Sequence, residues 1–127
     1  MPGHTPVVVL IEGDVTARNT LSSALRAAGF AVIATATGAQ GLAALASRAV
    51  DLVVADPQLH GLSGKDVLRI VREREACERL APTPFIMLGV NLPGGAQAVG
   101  EVTPLEADDL PAAARQIVAS AQRAYWR

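Results

Sequence analysis

Apolar positions along this chain alternate between two rhythms. Residues 7–11, VVVLI, form an unbroken run between Pro6 and Gly13, the pattern of a strand buried on both faces. From Val15 the spacing changes: Ala17, Leu21, Ala24, Leu25 and Ala28 recur at helical intervals, with Arg18, Asn19, Ser22 and Arg26 on the other side. Asp14 is the expected N-cap of that helix and Gly29 its stop. A second strand is predicted over 30–36, FAVIATA. Thr37 and Gln40 have the spacing of a capping box and open a short helix to about Arg48. The third strand, 52–55, ends at Asp56. Ser63 with Asp66 is a second capping-box candidate, starting a helix through Val67, Leu68, Ile70 and Val71 towards Glu78. A fourth strand is predicted at 84–88 and a fifth at 99–102. A last helix follows, with Pro111 in its first turn and Ala114, Ile117, Val118 and Ala121 on one side.

Strands alternating with helices imply right-handed crossovers and a parallel sheet covered on both faces, so the fold class is a doubly wound α/β domain with five strands. One interval breaks the rhythm. Residues 89–98, GVNLPGGAQA, must connect strands four and five, whereas a complete crossover needs roughly 10–12 residues including its helix. Pro93, Gly94 and Gly95 oppose a helix there. The fourth helix is therefore expected to be shortened or missing.

Composition narrows the function classes. The length of 127 residues suits one domain over 1–127, either by itself or as a piece of a longer protein. Half the residues are hydrophobic but only 3% aromatic, so the core must be aliphatic. A formal charge of −1 gives no basic footprint, which argues against direct nucleic-acid binding. The single cysteine, Cys77, can form no internal disulfide and points to a reducing compartment. No signal peptide is readable, and no run approaches the roughly 18 apolar residues of a membrane span, so a cytoplasmic location without membrane contact is expected.

In a doubly wound sheet the functional crevice lies at the carboxyl ends of the strands. Glu12 and Asp14 follow the first strand, Asp56 ends the third, Gly89 ends the fourth, and Thr103-Pro104 follows the predicted fifth. Acids from two strand ends would form a small anionic pocket suited to a hard cation such as Mg²⁺. Taken singly, Asp14 is explained as a helix cap and Glu12 as a solvated turn acid.

The order of these residues resembles the receiver domain of two-component response regulators over almost the whole chain. The likeness rests on LIEGD after strand one, Arg18 six residues after Glu12, AAGFAV into strand two, DLVVAD ending on the acid, LHGLSG after it, and a Thr-Pro pair before the last helix. It implies a flavodoxin-like receiver fold. It also implies Asp56 as the acceptor of a phosphoryl group from a histidine kinase, Glu12 as one of two Mg²⁺-binding acids, and Pro104 as a candidate cis-proline. Several positions depart from the family pattern. The second acid, normally the direct metal ligand, is Gly13; the hydroxyl residue ending strand four is Gly89; the lysine before the proline is Thr103; and His60 replaces the usual proline of the loop after the acceptor.

Phosphoryl transfer to a carboxylate depends on neutralising charge on the equatorial oxygens. The family does this with a divalent ion, a lysine and a hydroxyl, of which this chain keeps part of the first. Glu12 and Asp56 could hold Mg²⁺ weakly, with Asp14 helping through water. The expectation is thus a degenerate receiver that is no enzyme in its own right. It would keep the fold as a protein-interaction module, with phosphorylation of Asp56 weakened or lost.

The main alternative is a working phospho-accepting receiver of unusual design. More remote is a flavodoxin-like small-ligand module. The spacing of Asp56 and His60 does not fit a cobalamin motif, and aromatics are too few to stack a flavin. Expected partners are a histidine kinase or phosphotransfer protein, or an output domain or protein, with a homodimer through the last helix as a further option. Tyr125 and Trp126, after the alanine-rich helix, would suit a partner surface or a linker helix.

Overall fold

The structure is a computed structural model that describes residues 5–88, 102–105 and 110–125. Five strands, β1 (Val7–Ile11), β2 (Ala31–Thr35), β3 (Leu52–Ala55), β4 (Phe85–Leu88) and β5 (Val102–Leu105), form one parallel sheet in the order β2-β1-β3-β4-β5. The helices are α1 (Val15–Ala27), α2 (Gly38–Ser47), α3 (Gly64–Glu78) and α4 (Leu110–Tyr125). This is the doubly wound parallel α/β sheet expected from the alternation of strands and helices. The shortened fourth helix was expected at 89–98, which lies outside the described residues.

The central strands behave as continuous apolar runs should: every residue of β1, β3 and β4 is buried. Alternation splits their side chains into two cores. Val8, Leu10, Leu52, Val54 and Ile86 face α1 and α4, meeting Leu25, Leu110, Ala114 and Val118. Val9, Ile11, Val53, Phe85 and Met87 face the other way, meeting Val67, Leu68 and Val71 of α3, with Leu42 and Leu45 of α2 packed against them.

Helix starts follow the capping residues. The Asp14 side chain accepts from the Ala17 N–H, Thr37 accepts from Gln40, and Ser63 and Asp66 form a fully reciprocal capping box. Two hydrogen bonds from Ser63 hold the Asp66 carboxyl below the usual range, with a smaller contribution from Arg69. At the other end of α1, Gly29 takes a φ of 101°, a conformation that side chains other than glycine's rarely allow.

The far end of α3 is tied to the approach to β4 by a buried ion pair. Arg72 Nη1 donates to Glu75 Oε1 at 2.7 Å and to the Thr83 carbonyl at 3.0 Å. The Thr83 N–H returns a bond to Glu75 Oε2 at 2.7 Å. The two side chains retain only 13% and 9% of their exposure, so these bonds take the place of solvent.

Two expectations require correction. The fifth strand was placed at 99–102 with Thr103-Pro104 beyond it, but β5 runs over Val102–Leu105, and Ile86 and Met87 face Thr103 and Pro104 across the pair. Proline breaks most strands, yet at the margin of a sheet it is tolerated when its missing N–H would have pointed away from the neighbouring strand. The cis bond expected before Pro104 is not found: among the described residues no peptide bond is cis. A trans bond keeps the backbone extended through the Met87–Pro104 register.

Candidate functional site

Parallel pairing brings the acids together. Ile11 of β1 lies beside Ala55 of β3, and the Asp56 N–H donates to the Ile11 carbonyl at 2.9 Å, so the next residues along, Glu12 and Asp56, leave the sheet side by side. Behind them α3 begins very close to the chain. A Cβ on Gly64 would stand 2.6 Å from the Asp56 carbonyl and 2.9 Å from Met87 Sδ, so a side chain there would push the start of the helix away from the acid.

The turn after β1 is fixed from three sides. Asp14 caps α1 through its Oδ2, and its N–H donates to Glu12 Oε1 at 3.1 Å. Arg18, one turn into α1, places Nη1 2.9 Å from the Glu12 carbonyl and 3.5 Å from that of Gly13. Asp56 Oδ1 accepts from the Gln58 N–H at 2.8 Å. An open crevice of about 580 Å³ lies over these groups, lined by Glu12, Asp14, Thr16, Thr20, Asp56 and Gln58 with Leu21 and Leu88 among its apolar contacts. No lysine or arginine lines it among the described residues. Thr16, Thr20 and Gln58 escaped the sequence analysis. Their signal is position: Thr16 and Thr20 stand in the first two turns of α1, and Gln58 two residues past Asp56.

Burial pushes the Glu12 carboxyl above its ordinary pKa of 4.5. The Asp14 N–H opposes this, while a hydrogen bond with Asp56 and the charges of Asp56 and Asp14 add to it. The folded state therefore favours protonated Glu12. That contribution to stability is complete below about pH 4.5 and is lost as pH rises through the raised folded value. Glu12→Gln should therefore melt at a higher temperature than the parent at pH 7, the gain shrinking as the pH falls towards 4. Equal melting temperatures at pH 7 in calorimetry would show that Glu12 is not penalised there.

The fit to Mg²⁺ is partial. The ion accepts one or two carboxylates and completes an octahedron with water, and Glu12 and Asp56 are the pair that would hold it. Asp14 already spends Oδ2 on its helix. No group of three His, Cys, Asp or Glu side chains converges on a metal position among the described residues. Gly13 supplies nothing, although the backbone does not demand glycine. Its φ is not positive, and a Cβ there would meet only the Ala36 carbonyl oxygen at 3.7 Å.

Of the other positions singled out, His60 is exposed in the loop after β3, Cys77 is exposed on α3, and Thr103 lies in β5. Gly89 and Trp126 fall outside the described residues. No helix among the described residues is long and apolar enough to cross a membrane.

Residues 8–110 match the family model described as the response regulator receiver domain. A curated relative, the transcriptional activator protein PfeR of Pseudomonas aeruginosa, is 36% identical over 72 residues, which are 57% of this chain and 24% of the relative. The match thus spans about a quarter of that protein's length.

Two solved structures show the same architecture. The receiver domain of Francisella response regulator 1452 superposes with a TM-score of 0.79 at 18% identity, covering 92% of this chain and 99% of the other. The second is a co-crystal of the Saccharomyces cerevisiae histidine phosphotransfer signalling protein Ypd1 with the receiver domain of its downstream response regulator Ssk1. It matches with a TM-score of 0.71 at 20% identity, covering 80% of this chain and 78% of that one. At these identities the likeness is one of fold.

Proposed function

The chain belongs to the response regulator receiver domain family, and from that premise we propose that it is an atypical member, a protein-recognition module in which phosphorylation of Asp56 is weakened or lost. The observation that carries this reading is Gly13, at a position where a side chain has room and the backbone imposes no need for glycine. What is missing there is a ligand. Glu12 and Asp56 are left as adjacent acids in a crevice whose described lining holds no cation.

A phosphoryl group arriving at Asp56 would bring further negative charge to this pair. Removing one donor that neutralises an oxyanion typically costs about 2.7–4 kcal/mol in the transition state, a factor of hundreds in rate. This chain replaces two such groups relative to the family pattern, with Thr103 for lysine and Gly89 for a hydroxyl residue. Mg²⁺, when bound by Glu12 and Asp56, would supply partial neutralisation; the chain's own groups do little more than orient the acids. Asp56 is held by the Gln58 N–H and Glu12 by the Asp14 N–H.

In this reading the domain is no enzyme, works in the cytoplasm, and meets a histidine kinase, a phosphotransfer protein or an output domain through its fold. Support for such partners comes from the related receiver domain crystallised with a phosphotransfer protein. Incubation with acetyl phosphate and Mg²⁺, followed by intact-mass measurement, tests the proposal. It predicts no lasting mass gain. A stable gain of one phosphoryl group that disappears in Asp56→Asn would overturn it.

A further inference from the structure

The outer edge of β2 is partly capped and partly open. Ala31 donates to the Pro6 carbonyl and Thr35 accepts from the Glu12 N–H, so residues 31, 33 and 35 spend their backbone groups on β1. By the two-residue period of a strand, Val32 and Ala34 turn theirs outward. On that same outward side the Phe30 N–H is used by the Leu25 carbonyl, and the Ala36 N–H by Gln40 Oε1 at 2.9 Å. Among the described residues the Val32 carbonyl receives only a long bond, 3.4 Å, from Nη2 of the exposed Arg26. Both groups of Ala34 and the N–H of Val32 face away from the sheet, and β2 pairs with no described strand other than β1.

Soluble domains normally guard such an edge with charged side chains, proline or a bulge. Here residues 27–47, from the end of α1 through β2 to the end of α2, contain no Asp, Glu, Lys, Arg or His. Ala31 and Ala34 are exposed on the strand itself and are small enough to let another backbone approach.

We infer that the β2 edge is a self-association surface, on which a second copy of this chain adds its own β2 antiparallel, with Val32 opposite Ala34 of the partner subunit. Two outward residues spaced by two form a self-complementary set. In an antiparallel hydrogen-bonded pair, opposed residues exchange both N–H···O bonds. Val32 with the partner's Ala34, and Ala34 with the partner's Val32, would satisfy all the open groups about a two-fold axis between the two Ile33 residues. This arrangement is an isologous contact that closes on itself. Like charges do not meet across it, because neither strand carries any, and Arg26 needs only to swing away from the Val32 carbonyl. The inference goes beyond the proposed function and does not depend on the state of Asp56.

A contact of this size belongs with weak, transient interfaces, so association is sought between about 50 µM and 1 mM by sedimentation equilibrium. The parent chain is expected to dimerise in that range. Ala34→Pro removes one outward donor without touching a bond to β1, and should weaken the dimer at least tenfold. Ala34→Lys puts a charge on an exposed position and should do the same, and circular dichroism and melting temperature confirm that both variants fold. Arg26→Ala removes the competing donor and should tighten the dimer several-fold. A parent that stays monomeric up to 1 mM overturns the inference. So does a dimer that both Ala34 variants leave intact, since it would use another face, such as the last helix.

Discussion

Replacing Glu75 with alanine will lower the unfolding free energy by about 3–5 kcal/mol, the usual cost of breaking a buried ion pair by removing one partner. The carboxylate is the shared partner of the Arg72 guanidinium and the Thr83 N–H, and its removal takes a short bond from each where solvent is largely excluded. Urea denaturation monitored by circular dichroism measures the loss. Arg72→Met combined with Glu75→Leu should recover part of it, because an apolar pair has no charge to desolvate, while Thr83 still lacks both of these side-chain partners. If the single variant unfolds within about 0.5 kcal/mol of the parent, the range of an ordinary surface substitution, then α3 is not anchored to the approach to β4 in this way.

Gly13→Asp will raise the affinity for Mg²⁺ by roughly 10- to 100-fold, the effect expected from adding a charged oxygen ligand to a site that now has two. Space exists for it, with the Ala36 carbonyl oxygen 3.7 Å from the new Cβ and no left-handed backbone to strain. Isothermal titration with MgCl₂ compares the variant with the parent, and melting curves without metal control for added repulsion beside Glu12 and Asp14. An unchanged dissociation constant would mean that the missing acid is not what limits cation binding, and the reasoning from Gly13 would fail. This result bears on the site alone, because the new side chain sits in the exposed turn after β1 and touches neither core.

Much of the fold was legible because its signals are local. Val7–Ile11 and Leu52–Ala55 read as strands buried on both faces because every side chain in them is apolar, and the structure buries each one. Asp14, Thr37 and Ser63 marked helix starts because a short acceptor placed before an apolar helical pattern has few other uses. The fifth strand, expected at 99–102, lies further along the chain over Val102–Leu105 and carries Pro104, a residue that only a position at the margin of the sheet makes acceptable.

The candidate site was legible to a lesser degree. Glu12 and Asp56 stand at the ends of adjacent strands, so sheet topology alone predicts their meeting. The Arg18 bonds to the Glu12 and Gly13 carbonyls depend on how a long side chain folds back, and spacing does not encode that. The link from Arg72 and Glu75 to Thr83 joins a helix to a loop eight and more residues away, and on the sequence it looks like one more exposed charge pair of α3. The open edge at Val32 and Ala34 is a property of main-chain direction, which side-chain patterns do not report.

On the proposed reading, the acids at the carboxyl end of the sheet no longer organise a phosphoryl group. Beryllofluoride with Mg²⁺ mimics that group on an aspartate, and its addition to ¹⁵N-labelled protein is followed in amide NMR spectra. Amide shifts are expected to stay within the immediate surroundings of Glu12 and Asp56 and not to saturate at millimolar ligand. Saturable binding with shifts spreading through β4, β5 and α4 would contradict that reading and identify a working switch.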